Sequence, residues 1–431
     1  MRVIDYPSPC LWPQLVQRPS LKKENLFEVV DSVFADIRAS GDDALKKYTR
    51  QFDRADLKQL EIPVETARKI AETVPAELKR AIETARNSIE TFHLSQKEVP
   101  QKIETAKGVL CWRESRAIEK VGIYIPGGSA PLFSTVLMLA VPAKIAGCKD
   151  IVLCTPPDAE GNIHPAILFA ATLVGVTRIF AVGGIQAIGA MVFGTESVPK
   201  VDKIFGPGNQ YVMAAKQAAQ LQGTAIDMPA GPSEVLIVAD RSCVPSFVAA
   251  DLLSQAEHGP DSQVILLSDD RGRIEAISAE LEAQLQRLPR REIAEKALAN
   301  SVAILLNDLD SCIEFSNLYA PEHLILALEN AEDLIGKITN AGSVFLGNWS
   351  CESAGDYASG TNHTLPTNGF AKAYSGVSLD SFVKKITFQR LSAEGMNTIG
   401  TAIEIMAEAE RLDAHKNAVS LRLKQINESE K

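Results

Sequence analysis

The chain has 431 residues, of which 46% are hydrophobic and 23% charged; this is too apolar for an intrinsically disordered chain and long enough for two or three domains with buried cores. The formal net charge of −10, from 44 Lys and Arg against 54 Asp and Glu, argues against a general nucleic-acid or anionic-membrane binder. Six histidines and seven cysteines are few enough to weigh one at a time.

The N-terminus, MRVIDYPSPC, lacks the basic-then-apolar pattern of a secretory signal. No uncharged apolar stretch reaches the length of a membrane span. Cys10, Cys111, Cys148, Cys154, Cys243, Cys312 and Cys351 are odd in number and contain no C-x-x-C, which predicts reduced thiols rather than a disulfide framework or a Cys-based zinc site. The expectation is a cytoplasmic protein with no membrane and no nucleic-acid partner.

Residues 20–107 read as mostly helical. Leu26, Val29, Val30, Val33, Phe34 and Ile37 recur at helical spacing, whereas 88–101 has no clear periodicity and reads as a connection. From residue 121 onward, short apolar runs at 121–125, 151–154, 178–182 and 203–205 alternate with Gly/Pro turns and Ala-rich helical patterns. That alternation is the signature of a parallel sheet with helices on its faces. A second series follows: strands at 234–239, 263–268, 302–306, 323–326 and 342–346, a helix from about Pro245 and a charged helix over 271–288. The tail from about Val377 reads as largely helical, most clearly over 404–427. The predicted architecture is α/β, with two doubly wound Rossmann-like domains plus helical N- and C-terminal extensions. The expected boundaries are an N-terminal extension over 1–20, a discontinuous first domain over 21–123 and 233–377, a second domain over 124–232, and a tail over 378–431.

Two glycine-rich loops, Tyr124-Ile-Pro-Gly-Gly-Ser129 and Phe205-Gly-Pro-Gly-Asn209, follow predicted strands, and a third, Val182-Gly-Gly-Ile-Gln186, precedes a short helical stretch. Strand-end glycines admit a ligand close to the backbone, and a helix N-terminus offers unpaired N–H groups to an anion. In doubly wound sheets ligands sit beyond the carboxyl ends of the strands. None of the loops matches G-x-G-x-x-G or the Walker pattern, so tight turns and a dinucleotide-type site both remain open.

Among the histidines, His93 falls in the aperiodic stretch and His164 in a turn-like Gly161-Asn-Ile-His-Pro165; both read as incidental. His258 ends a predicted helix that Gly259 and Pro260 stop, and it shares a face with Gln255 three residues earlier. Glu322 and His323 are neighbours at the mouth of a predicted strand. In extended backbone they point to opposite sides, so they flank one site only if the chain bends, which Pro321 permits. Asp356 and His363 share a loop of turn residues, and Glu410 and His415 lie on the tail helix, where composition favours a solvated face. Zinc accepts such nitrogen and oxygen ligands. No compact motif of the H-E-x-x-H type occurs, and spacing alone does not bring dispersed residues onto one ion.

Taken in order, Gly206-Pro-Gly-Asn209, Ile226-Asp-Met-Pro-Ala-Gly-Pro-Ser-Glu234, Ser254-Gln-Ala-Glu-His-Gly-Pro-Asp261, Ala320-Pro-Glu-His323, Ser353-Ala-Gly-Asp-Tyr-Ala-Ser-Gly-Thr-Asn-His363 and Ala414-His-Lys-Asn417 resemble the L-histidinol dehydrogenase family, from about residue 41 to 420. The resemblance implies oxidation of L-histidinol to L-histidine through an aldehyde, with two NAD and one zinc per active site, by a homodimer at the end of histidine biosynthesis. It implies zinc ligands Gln255, His258, Asp356 and His415, and an acid–base pair of Glu322 and His323. Ser233, Glu410, His323 and the zinc ligands would contact substrate, and Tyr124, Gln186 and Asn209 would contact NAD. The first domain would then carry the zinc and catalytic residues and the second the NAD side. Glu410 and His415 would reach the partner subunit's site, and His363 would stand behind or beside the ligands rather than among them. His323 would take the hydroxyl proton and Glu322 would activate water on the aldehyde, with one NAD site used twice. A Cys nucleophile is the other route to aldehyde oxidation, with Cys111, Cys154 and Cys351 near interesting segments. A zinc-dependent hydrolase without NAD, or a non-catalytic nucleotide-binding protein, are the competing readings.

Overall fold

In the computed structural model, which describes residues 1–18, 26–127 and 130–429, the apolar runs become the strands of two six-stranded sheets. Gly128 and Ser129 of the first glycine loop, and the first residues of the helical region expected from residue 20, lie outside the described residues. The chain divides into two compact units, Met1–Gln96 with Ile118–Phe382, and Lys97–Ala117 with Val383–Lys431.

The larger unit holds both six-stranded sheets. The first runs in the order Arg2–Asp5, Val302–Leu305, Gln263–Ser268, Glu234–Ala239, His323–Ala327, Ser343–Leu346, parallel throughout. All six residues of Glu234–Ala239 are buried, as a strand covered on both faces requires. Leu236 and Ile237 enter different core clusters, one on each face, following the period of two. Pro245–Ala256, Arg271–Leu285 and Arg291–Ala299 cover one face, and Leu309–Tyr319 with Trp12 covers the other. Each Val, Leu or Ile buried this way contributes about 1.5–3 kcal/mol.

The second sheet runs Glu61–Ile62, Arg178–Ala181, Asp150–Thr155, Lys120–Tyr124, Lys203–Phe205, Ala225–Ile226; only its first strand is antiparallel. Val64–Ala71, Ala76–Leu94, Phe133–Ala146 and Pro165–Val174 pack on one face. Leu26–Tyr48, Gly184–Phe193 and Gln210–Leu221 pack on the other. The strand order reverses beside Lys120–Tyr124 in this sheet and beside Glu234–Ala239 in the first.

Packing departs from the expected grouping, and residues 97–117, expected in the first domain, group with the tail instead. The helices of residues 26–94 join the second sheet rather than the sheet of 234–346. The apolar face of Leu26–Tyr48 was readable, but its partner was not. Phe34 and Ile37 close on Gly189, where an added Cβ would lie 2.6 Å from Ile37 Cδ1. The extension 1–20 supplies an edge strand, Arg2–Asp5. The aperiodic stretch is helical as far as Leu94, with His93 buried and its Nδ1 2.8 Å from the Ile89 carbonyl.

In the smaller unit Val383–Leu391, Val109–Ala117 and Ile103–Ala106 form an antiparallel sheet. The tail therefore begins with a strand. Its helical part is two helices, Ala393–Ala409 and Asp413–Ser429, separated by a left-handed Arg411 at φ 58° and packed where Gly400 meets Leu423.

Candidate active site

The helix Leu309–Tyr319 ends at Ala320, whose left-handed φ of 55° turns the chain into Pro321. This bend lets two sequence neighbours face inward together: Glu322 is 6% and His323 4% exposed. His323 Nδ1 lies 3.2 Å from Gln255 Oε1 and 3.8 Å from Glu322 Oε2, and its Nε2 lies 3.7 Å from Asp356 Oδ1. Glu322 Oε2 accepts the backbone N–H of Glu234 at 2.9 Å. Burial outweighs the pull of Asp356 and lowers His323 to about 4, so the imidazole is neutral near pH 7. Burial, with Glu234 and Asp356 nearby, raises Glu322 well above the usual carboxylate range, so that its carboxylate, once ionised, is a stronger base than a free one.

Gln255 is buried near the end of the helix Pro245–Ala256, and His258 is exposed just beyond it. Among the described residues, His258, Glu352 and Asp356 form a group whose ligand atoms lie within 4.8 Å of one another. Glu352 and Asp356 share a face of the helix Glu352–Tyr357. Gln255 Nε2, His323 Nε2 and Glu352 Oε2 are buried polar atoms without a hydrogen-bond partner among the described residues. Such atoms are rare and call for an explanation, of which a bound water, ligand or ion is one. The nitrogen and oxygen donors of His258, Glu352 and Asp356 fit a zinc ion, and Gln255 Oε1, which lies 3.2 Å from His323 Nδ1, has a second lone pair to offer. His363 has both nitrogens engaged, Nδ1 with the Asp356 carbonyl at 2.9 Å and Nε2 with Thr135 Oγ1 at 3.1 Å. It braces Asp356 from behind.

At the carboxyl ends of the second sheet, flanking its reversal point, a cleft of about 1590 Å³ is lined by Tyr124, Pro126, Gly127, Gln186, Asn209 and Asp53, among others. The three residues Tyr124, Gln186 and Asn209 are therefore brought together. The Tyr124 hydroxyl accepts the Gly184 N–H at 3.1 Å. Gln186 Nε2 lies 3.5 Å from Asp53 Oδ2, and its Oε1 is buried without a partner among the described residues. Asn209 caps the helix Gln210–Leu221 through the N–H groups of Tyr211 and Val212. His164 also serves as a cap, accepting from Ala166 N–H at 3.2 Å.

Ser233 precedes Glu234–Ala239 and stands at the same end of the first sheet as His323. This is the amino end of the strands, opposite to the usual ligand side of such a sheet. Glu410 and His415 are exposed in the smaller unit, at the end of one tail helix and the first turn of the next. Cys154 is fully buried, and burial pushes its thiol up to about 12, which disfavours the thiolate that a nucleophile needs. Sequence reasoning missed Glu352, although its spacing of four from Asp356 was a readable signal. It also missed Asp53, Glu234 and Arg18, whose partners are remote in sequence.

A doubly wound α/β fold with a buried Glu–His pair, an adjoining His–carboxylate group and a strand-end cleft defines an enzyme architecture. The family model for histidinol dehydrogenase matches residues 16–423. A histidinol dehydrogenase of Bacteroides thetaiotaomicron is 60% identical over 98% of this chain and 99% of its own, and one of Escherichia coli K12 is 53% identical over 96% and 95%. The crystal structure of histidinol dehydrogenase from Elizabethkingia anophelis superposes with a TM-score of 0.98 at 61% identity, covering 99% of both chains. The chain belongs to the histidinol dehydrogenase family.

Proposed function

We propose that this enzyme oxidises L-histidinol to L-histidine through L-histidinaldehyde, in two NAD-dependent steps at a zinc site, as the last steps of histidine biosynthesis. The observation that carries the reading is the buried His323, neutral, with Nε2 unpartnered and 3.7 Å from Asp356 Oδ1. Gln255, His258 and Asp356 would hold zinc together with His415 of a second subunit, and Glu352 stands within reach of the same ion. When bound, zinc orients and polarises the amino alcohol, and NAD accepts the hydride of each step.

The protein's own groups then have separate tasks. His323 Nε2 takes the hydroxyl proton as the first hydride leaves. Glu322 removes a proton from the water that adds to the aldehyde, and the hydrate loses the second hydride. Gln255, bonded to His323 Nδ1, fixes the ring orientation. Ser233, Asp356 and Glu410 would contact the substrate, and Tyr124, Gln186 and Asn209 the dinucleotide. The cleft they line is a single cavity, which supports one NAD site used twice.

The test is NADH production on mixing enzyme, L-histidinol and NAD. Two NADH per histidinol are expected, lost on treatment with a chelator and restored by zinc. One NADH per histidinol would reject the second oxidation. Turnover of a hydrolysable substrate without NAD would favour a zinc hydrolase instead.

A further inference from the structure

Arg18 lies outside every motif that carries the family resemblance, yet it grips the segment that delivers Glu322 and His323. Its Nη2 donates to the carbonyls of Tyr319 and Ala320, at 2.8 and 3.3 Å, immediately before Pro321. Its Nε and Nη2 form a fork on the Glu234 carboxylate at 2.5 and 2.8 Å, and the guanidinium stacks 3.9 Å from the Tyr319 ring centre. The Tyr319 hydroxyl, which donates to Gln263 Oε1 at 2.8 Å, also lies 3.2 Å from the same carboxylate. Glu234 closes the circuit, since its N–H donates to Glu322 Oε2 at 2.9 Å.

The physical demands explain the choice of residue. Glu234 is 2% exposed, and a buried carboxylate needs a cation with matching hydrogen bonds. Arg supplies a rigid planar fork with donors to spare for the two carbonyls, which Lys cannot do. The left-handed Ala320 is a strained position that persists only when its surroundings hold it. Arg18 satisfies all three demands at once.

We infer that Arg18 is a positioning residue for the aldehyde-oxidising step: through Glu234 and the Tyr319 and Ala320 carbonyls it fixes the Glu322 carboxyl group where it meets water. This rests on the role proposed above for Glu322. Arg18→Met alone leaves Glu234 buried and unpaired, so the test uses the double variant Arg18→Met/Glu234→Gln, which removes both charges at similar volume. It is assayed as the full-length enzyme for L-histidinol and L-histidinaldehyde oxidation separately, with a thermal melt.

The double variant should melt cooperatively, keep KM for L-histidinol and NAD within about twofold, and lose roughly 10- to 100-fold in kcat for the aldehyde, with a smaller loss for the alcohol. A folded double variant that oxidises the aldehyde at the wild-type kcat overturns the inference. Arg18→Lys keeps the charge and loses the fork; it should show the same split, and an unchanged aldehyde kcat there overturns the inference equally. Glu322→Gln, run alongside, separates two failures. An unimpaired Glu322→Gln rejects the role of Glu322 and this inference with it. An impaired Glu322→Gln beside unimpaired Arg18 variants rejects Arg18 alone.

Discussion

At the scale of single residues, burial sets the protonation states. Asp53, beside Gln186 at the cleft, is pushed up to about 6 by desolvation alone. Between its ordinary value near 4 and this raised value the unfolded chain has released the proton while the folded chain holds it. Stability from this group is therefore present at low pH and falls as pH rises towards 6. Asp53→Asn removes that loss and should raise the thermal transition at pH 7, by order 1 kcal/mol after allowance for partial exposure, with little change at pH 4. An equal shift at both pH values would show that the charge is not the cause. The same rule applies to the proposed acid–base pair: burial lowers His323, which keeps its imidazole neutral, and raises Glu322, which makes its ionised form the stronger base.

At the scale of elements, the loop Gly206-Pro-Gly-Asn209 shows how a turn becomes part of a site. Gly206 donates to Asp227 Oδ2 at 2.8 Å, and its carbonyl accepts from Lys216 Nζ at 2.7 Å. Lys216 and Asp227 form an ion pair with both side chains 1% exposed. Gly206 has φ 129°, and an added Cβ would lie 2.1 Å from the Tyr124 carbonyl oxygen. Gly206→Ala should therefore lower the thermal transition, by about 1–3 kcal/mol or more, and raise KM for NAD more than it changes KM for L-histidinol. A lower melting point with an unchanged NAD KM would detach this loop from cofactor binding. The first sheet makes a different use of its ends. Its strands present Ser233, Glu322 and His323 at the amino side, met there by the end of the helix Pro245–Ala256.

At the scale of the whole molecule, the tail residues Glu410 and His415 belong to a unit separate from the one that holds Glu322 and His323. If the tail completes the site of a second subunit, hybrid dimers of Glu322→Gln and His415→Asn chains regain activity. One site then pairs an intact core with an intact tail, while the other carries both defects. Each variant alone should be nearly inactive in aldehyde oxidation, and mixed dimers made by co-expression should recover up to about half of the wild-type rate of that step per dimer. Hybrids as inactive as the parents would place His415 at its own subunit's site or remove it from the site altogether.

The fold class was legible in the sequence because strands covered on both faces read as continuous apolar runs and their flanking turns carry Gly and Pro. The motifs containing Gln255, His258, Glu322, His323 and Asp356 were legible because each is a local string. Glu352 carried a local signal, its helical spacing to Asp356, that went unread. Two further kinds of information were absent from any local window. Helix Leu26–Tyr48 announced its apolar face but not the sheet it would cover, since any apolar surface of suitable shape satisfies the hydrophobic effect. Arg18 and Glu234 stand 216 positions apart, and only the closed tertiary structure makes them partners. The sequence by itself determined the α/β class and most of the strands and helices of the two large sheets, and it marked the residue types offered as candidates for the chemistry. Tertiary packing decided which neutral, buried or unpartnered state each of those residues occupies, because desolvation and hydrogen bonding depend on what surrounds a group in space rather than on what precedes it in the chain.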